Sequence, residues 1–153
     1  MTSHVKTHKF LQFFRLFCLI IHFVSGLLQS FIYPHVNRRT QRYMAKKWAQ
    51  RFLRILNIKL HYHGSLPSDD QARVILAANH ISWLDVIAIL AIYPVRFVAK
   101  SEILDWPIIG KLSANAGTIF VTSEKRNDTL RVNQFLSEIL IAGDRIAIFP
   151  EGT

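Results

Sequence analysis

The first apolar run of the chain, residues 10–33, predicts a helix that contacts a membrane. Its segment 16–32 holds 17 residues without a formal charge, slightly short of the about 20 that span a bilayer. Lys and Arg flank the run on both sides, so the positive-inside rule gives no single orientation. The pattern therefore favours a helix that dips into one leaflet and returns to the same side. A cleaved signal peptide is the alternative, although no small-x-small cleavage site follows the run.

Residues 40–56 predict a second helix, and this one is amphipathic. At 100° per residue, seven apolar side chains fall on one broad face and most of the basic side chains fall on the remainder. The apolar face comprises Met44, Ala45, Trp48, Ala49, Phe52, Ile55 and Leu56. Trp and Phe opposite a Lys/Arg face are typical of a helix that lies in an anionic headgroup layer. A helix packed on its own domain, with a solvated basic face, shares this pattern and is the alternative.

From residue 58 onward, short apolar stretches alternate with helical patterns. Strands are predicted at residues 58–63, 73–78, 96–100, 118–121 and 145–149, and helices at 84–93, 107–116 and 128–142. Pro107 suits the first turn of its helix. Strands interleaved with helices predict an α/β fold with a mainly parallel sheet and flanking helices. The sequence thus divides into a membrane-associated helical segment, residues 1–57, and an α/β domain, residues 58–153.

The charge distribution supports this division. The 153 residues carry 19 Lys and Arg against 10 Asp and Glu, a formal charge of +9, and half of them are apolar. This composition excludes a disordered chain, and the single Cys excludes an internal disulfide. Residues 1–60 contain 11 basic and no acidic residues, which leaves a net charge of −2 for residues 61–153. The excess positive charge belongs to the apolar N-terminal segment, which favours anionic membrane lipids over nucleic acid as a partner.

Two polar clusters directly follow predicted strands. Asn79 and His80 come after the strand at 73–78, and residues 150–153 come after the strand at 145–149. Ligands of parallel sheets bind outside the carboxyl ends of the strands. We therefore expect both clusters at the same edge of the sheet.

His80 and Asp85 are the strongest candidates for chemistry. On one continuous helix they would lie about 140° apart and would not face each other. A helix capped by Ser82, with Asp85 at its third position, brings them together, because His80 then lies on the turn before the cap. Asp85 can accept a hydrogen bond from one ring nitrogen and leave the other free as a base for a hydroxyl. The spacing alone is weak evidence, and a buried histidine beside a simple helix cap is the alternative.

No metal site is expected. His61 and His63 share one face of a predicted strand, but no third ligand lies near them, and metal sites need three or four ligands. Cys18 lies within the apolar run, where a thiolate is disfavoured.

Three stretches of the chain together resemble the glycerolipid/lysophospholipid acyltransferase family. The run AANHISWLDVIAI (77–89) resembles the first signature of the family. The runs FVAKSEILDWPIIGKLSANAGTIFV (97–121) and IAIFPEGT (146–153) resemble its linking region with the second block, and its third block. The stretches occur in the family's order. The resemblance covers about residues 45–153 and is specific in the first and third blocks.

The resemblance implies roles for individual residues. His80 would be the general base on the acceptor hydroxyl, and Asp85 would orient and stabilise it. Acceptor binding would involve Gly117, Pro150, Glu151, Gly152 and Thr153. The family usually carries an Arg after the GTIFV strand to hold the acceptor phosphate, and this sequence has Ser123 there. Lys125 or Arg126 is the candidate replacement, although only Arg forks two bonds onto a phosphate.

The function implied by the resemblance is transfer of a fatty acyl chain from acyl-CoA or acyl carrier protein to the free hydroxyl of 1-acyl-sn-glycerol 3-phosphate. A lyso-ornithine lipid acyltransferase is the alternative, as is a truncated membrane-surface protein without catalysis. No metal or prosthetic cofactor is implied. The expected location is the cytoplasmic face of a bacterial inner membrane. Members of the family continue beyond the third block, so we expect the C-terminal part of the fold to be missing from this sequence.

Overall fold

The structure is a computed structural model that describes residues 9–68, 71, 73–121 and 126–150. Helix α1 (Lys9–Ile32) leads through a 3₁₀ turn (Tyr33–His35) to helix α2 (Arg38–Ile55). The following elements are β1 (Val74–Ala77), α3 (Trp83–Ile92), β2 (Arg96–Lys100), a 3₁₀ turn (Ser101–Asp105), α4 (Ile109–Asn115), β3 (Ile119–Val121), α5 (Arg126–Ile141) and β4 (Arg145–Ile148). Strands and helices alternate as the predicted α/β class requires.

The four strands of the described residues form one parallel sheet in the order β1-β4-β2-β3. Strand β4 lies inside this sheet, where Ile146 pairs with Ile75 of β1 and Ala147 pairs with Phe97 of β2. Ile146 and Ala147 are at most 1% exposed. A continuous apolar run is typical of a strand covered on both faces. The structure therefore confirms the predicted mainly parallel sheet.

The apolar face of α2 packs against protein. Ala49, Phe52 and Leu53 are buried in one cluster with Ile87 and Ala91 of α3. Helix α3 is apolar almost all round, and such a helix needs cover on every side. The prediction that this face of α2 meets lipid is therefore wrong, and the alternative of a helix packed on its own domain is observed.

Helix α1 has the reverse arrangement, because its buried residues are small or polar. His22, Gly26 and Ser30 form one stripe at four-residue spacing that faces α2 and α4. The Trp48 Nε1 donates to the His22 carbonyl at 3.4 Å, and the Asn115 amide donates to the Ser30 hydroxyl at 3.1 Å. Most of the large apolar residues of α1 are exposed, namely Phe10, Leu11, Phe13, Phe14, Leu16, Phe17, Ile20, Ile21, Phe23, Val24, Leu28, Phe31 and Ile32. By length and composition, the helical stretch Lys9–His35 could cross a membrane.

Two predicted elements differ from the structure. Residues 58–63 form no strand, and only Ile58 packs against the cluster beneath α2. Their alternation supplies an apolar face, but a strand also needs a neighbour for its backbone, and no described strand pairs with them. The helix predicted to contain Pro107 in its first turn begins later, at Ile109, because Ile108 has a φ of +68° that an α-helix cannot accommodate.

Candidate active site

The turn between β1 and α3 carries His80, and the start of α3 is capped as the sequence predicts. The Ser82 side chain accepts a hydrogen bond from the Leu84 amide at 3.0 Å, and the Asp85 carboxylate accepts one from the Ser82 amide at 2.8 Å. This reciprocal pair is a capping box, which satisfies amides that have no partner within the helix. The cap fixes the direction of the Asp85 side chain, and therefore places its carboxylate beside His80.

A single carboxylate oxygen, Asp85 Oδ2, joins the cap to the histidine. It accepts hydrogen bonds from the amides of Ile81 and Ser82, both at 2.8 Å, and it lies 3.3 Å from His80 Nδ1. The amides of Ser82 and Ile81 hold the pKa of the Asp85 carboxyl below its usual range, and His80 lowers it further. The carboxylate is therefore ionised at neutral pH and can hold a proton on Nδ1, which leaves Nε2 as the basic nitrogen.

Both side chains remain accessible to a reactant. The side chain of His80 is 32% exposed and that of Asp85 is 35% exposed. The alternative of a fully buried histidine is thus excluded for His80. An oriented, accessible imidazole beside a fixed carboxylate can remove a proton from a hydroxyl and return it to a leaving group.

Two phenylalanine rings continue the site from this edge of the sheet onto β2. The Phe149 ring stacks on the His80 imidazole with ring centroids 4.1 Å apart, and it also stacks on Phe97 at 5.7 Å. Phe149 directly follows β4, so the structure brings the start of the third block to His80, at the predicted edge. Neither Phe149 nor Phe97 is among the site residues predicted from the sequence. The available signal was an aromatic residue at the carboxyl end of a buried strand, next to Pro150.

Gly117 lies at the opposite, amino-terminal edge of the sheet. Its carbonyl accepts a hydrogen bond from Arg96 Nε at 2.6 Å, and Arg96 Nη1 also lies 2.9 Å from Asp144 Oδ2. Arg38 of α2 contacts the same Asp144 oxygen at 3.1 Å. The φ of Gly117 is +81°, which suits its place after the end of α4. The structure does not bring Gly117 to His80, so its role in acceptor binding stays a prediction.

The remaining predicted acceptor residues are placed only in part. Pro150 is exposed and follows Phe149 at the edge that carries His80. Arg126 begins helix α5. The other four candidates lie outside the described residues, namely Lys125, Glu151, Gly152 and Thr153. Their roles and those of Pro150 and Arg126 stay predictions.

Within the described ranges, no group of three or more His, Cys, Asp or Glu side chains could hold a metal ion. His61 and His63 lie on the exposed segment that follows α2.

Comparison with known proteins identifies the family. A family model described as Acyltransferase matches residues 58–153. The chain belongs to the acyltransferase family. A 1-acyl-sn-glycerol-3-phosphate acyltransferase from Neisseria gonorrhoeae is 46% identical over 78 residues, which are 51% of this chain and 31% of that protein. A lyso-ornithine lipid O-acyltransferase from Rhizobium meliloti is 31% identical over 115 residues, 75% of this chain and 39% of that protein.

A solved acyltransferase structure supports the fold. The crystal structure of the 1-acyl-sn-glycerophosphate acyltransferase PlsC from Thermotoga maritima matches with a TM-score of 0.65 and 23% identity. The match covers 94% of this chain and 60% of that chain, so it includes the N-terminal helices as well as the sheet. The chain spans about a third of the length of the curated acyltransferases named above.

Proposed function

We propose that this acyltransferase moves a fatty acyl group from an acyl thioester to the free hydroxyl of 1-acyl-sn-glycerol 3-phosphate. The observation that carries the proposal is the Asp85 oxygen, which two backbone amides fix and which lies 3.3 Å from His80 Nδ1. The family and the relatives that act on this acceptor support the substrate class.

In the proposed reaction, His80 Nε2 removes the proton of the acceptor hydroxyl while the oxygen attacks the thioester carbonyl. The carbon–oxygen bond forms, and a tetrahedral intermediate carries the negative charge. When this intermediate collapses, the carbon–sulfur bond breaks and the sulfur leaves as a thiol, protonated by the His80 imidazolium. Asp85 stabilises that imidazolium throughout. The proposed donor is acyl-CoA or acyl carrier protein, and the scheme requires no metal or prosthetic cofactor.

A lyso-ornithine lipid is the second candidate acceptor. One observation favours it: the Rhizobium meliloti relative aligns with 75% of this chain, a larger share than the 51% aligned with the Neisseria gonorrhoeae relative. Both acceptors present a hydroxyl to a base, so the same His80 chemistry serves either. They differ in the headgroup, which is a phosphate in one and an amino acid in the other.

The proposed location is the surface of a membrane that contains anionic lipids, on the cytoplasmic face of a bacterial inner membrane. Helix α1 supports this location, because it turns small and polar residues to the protein and large apolar residues outward. That arrangement suits a helix in contact with lipid rather than water. Arg51 and Arg54 of α2 are also exposed and can meet anionic headgroups. A membrane-bound enzyme of this kind would meet its lipid acceptor in the same bilayer.

The proposal is tested by acyl transfer in mixed micelles from labelled acyl-CoA and acyl carrier protein, with lysophosphatidate and lyso-ornithine lipid as separate acceptors. We expect His80→Ala to lower turnover at least about 10²-fold, the usual minimum contribution of a general base. His35→Ala is the matched control, because His35 is exposed on the turn between α1 and α2. The mechanism is wrong if His80→Ala turns over at the wild-type rate. The preferred acceptor decides between the two candidates.

A further inference from the structure

We propose that Phe149 is a positioning residue that sets the direction of the His80 imidazole. The inference rests on the proposed function, in which His80 is the base. The two rings lie nearly parallel, with centroids 4.1 Å apart and an angle of 21° between their planes. Such close stacking covers one face of the imidazole and leaves its edge available to a reactant.

The Asp85 contact alone does not fix the imidazole. It joins one ring atom to one oxygen over 3.3 Å, which is long for a hydrogen bond to a carboxylate. The torsion that rotates a histidine ring has broad minima, so an exposed ring can turn while it keeps such a contact. A second constraint on the ring plane is needed to hold Nε2 in one direction, and Phe149 is placed to supply it.

The order of the strands supplies a rigid support for this second constraint. His80 follows β1, Phe149 follows β4 and Phe97 lies on β2, and these strands are neighbours in that order. Phe97 is 9% exposed, and its ring stacks on the ring of Phe149, with the centroids 5.7 Å apart and the planes inclined by 15°. His80, Phe149 and Phe97 thus form a row of three rings. The Ala78 amide donates to the Ile148 carbonyl at 3.2 Å, which ties the two strand ends that carry His80 and Phe149. The row of rings is therefore anchored in the sheet.

This arrangement matters for proton transfer, because a base works when its lone pair points at the proton it removes. Small errors in the direction of reacting groups cost large factors in rate. Loss of the stack would let the imidazole sample orientations in which Nε2 points away from the acceptor hydroxyl. Acceptor binding would be unaffected, since the phenyl ring acts on the base and not on the acceptor.

The test compares Phe149→Leu, which keeps an apolar side chain but removes the flat ring, with Phe149→Tyr, which keeps the ring. We expect Phe149→Leu to lower kcat about tenfold with an unchanged KM for lysophosphatidate, and Phe149→Tyr to restore most of kcat. Phe120→Leu is the matched control, because Phe120 lies on β3, the strand farthest from β1 in this sheet.

A second readout does not depend on activity. The Cε1 proton of His80, assigned in NMR spectra by its absence in His80→Ala, belongs to an imidazole stacked on the Phe149 ring with centroids 4.1 Å apart, so its resonance should shift when that ring is removed. The chemical shift of this proton should be the same in Phe120→Leu as in the wild type. The inference is overturned by a wild-type kcat in Phe149→Leu, by an equal loss in Phe120→Leu, or by an unmoved His80 signal. Failure of the proposed function is distinct, since it would appear as wild-type turnover in His80→Ala.

Discussion

Replacing Asp85 with Asn keeps the shape of the side chain and removes its negative charge. The Asn oxygen can still accept hydrogen bonds from the amides of Ile81 and Ser82, which now hold Asp85 Oδ2 at 2.8 Å. The cap of α3 therefore survives. What is lost is the charge 3.3 Å from His80 Nδ1, which in the proposed reaction stabilises the imidazolium.

The size of the loss follows from this distance. Coulomb's law at 3.3 Å gives about 1 kcal/mol with the dielectric constant of water and about 5 kcal/mol with an effective constant of 20. The His80 and Asp85 side chains are 32% and 35% exposed, so we take an intermediate value of about 3 kcal/mol. This corresponds to a fall in kcat of roughly 10²-fold. KM should stay constant, because the charge acts on the transition state rather than on the bound acceptor.

Steady-state acyl transfer to lysophosphatidate measures both constants, and Asp105→Asn, at an exposed carboxylate outside the site, is the control.

Urea denaturation at several pH values measures the effect of the same substitution on stability. The folded-state pKa of Asp85 lies below its usual range, so its stabilising effect is present above about pH 4 and is lost as pH falls through the folded-state pKa. The stability difference between wild type and Asp85→Asn should therefore be present above about pH 4 and shrink below it. A kcat for Asp85→Asn within threefold of wild type, or a stability difference that does not shrink below about pH 4, would refute this reasoning.

Two further predictions concern the rest of the molecule. Asp144→Ala should lower the free energy of unfolding by about 3 kcal/mol in urea titrations, because it removes the buried carboxylate that pairs with Arg96. Glu138→Ala, on the exposed face of α5, is the control and should change the free energy of unfolding by less than about 0.5 kcal/mol. Equal effects of the two substitutions would contradict this assignment. Replacing both Arg51 and Arg54 with Gln should lower the affinity for vesicles that contain phosphatidylglycerol, measured by sedimentation, by about 30-fold, since each charge contributes about 1 kcal/mol. Binding to vesicles of pure phosphatidylcholine should stay unchanged. The same loss on both kinds of vesicle would contradict a contact with anionic headgroups.

The sequence predicted best what depends on short-range rules. Ser82 and Asp85 form a capping box because both side chains lie within one helical turn of the amides they satisfy, and His80 is placed by the same turn. The strand around Ile146 was found because a strand buried on both faces requires an uninterrupted apolar run. The same kind of run in β1 predicts the strand correctly but not its burial, since Ile75 is 55% exposed. These features are local, and local patterning carries them.

The predictions that failed share one physical cause: a sequence pattern does not show which other part of the molecule packs against it. The apolar face around Phe52 suits lipid and protein equally, and α3 decides the matter by packing on it. Residues 58–63 have the alternation of a strand, but no strand in the described part of the chain pairs with them. The ring of Phe149 meets His80 only because β4 lies between β1 and β2, which no short-range rule reveals. Contacts between residues that are far apart in the sequence are therefore found only in the three-dimensional structure.

The place of β4 between β1 and β2 also orders the steps of assembly during synthesis. A chain that emerges from the ribosome N-terminus first produces β1, α3 and β2 well before the strand that joins them. His80 can then meet Asp85 early, since both belong to one turn, while Phe149 arrives only when β4 inserts. Until that moment the nascent sheet exposes two unpaired edges, and the helices of the N-terminal segment are already complete. We therefore expect the nascent protein to reach the bilayer before its active site has closed.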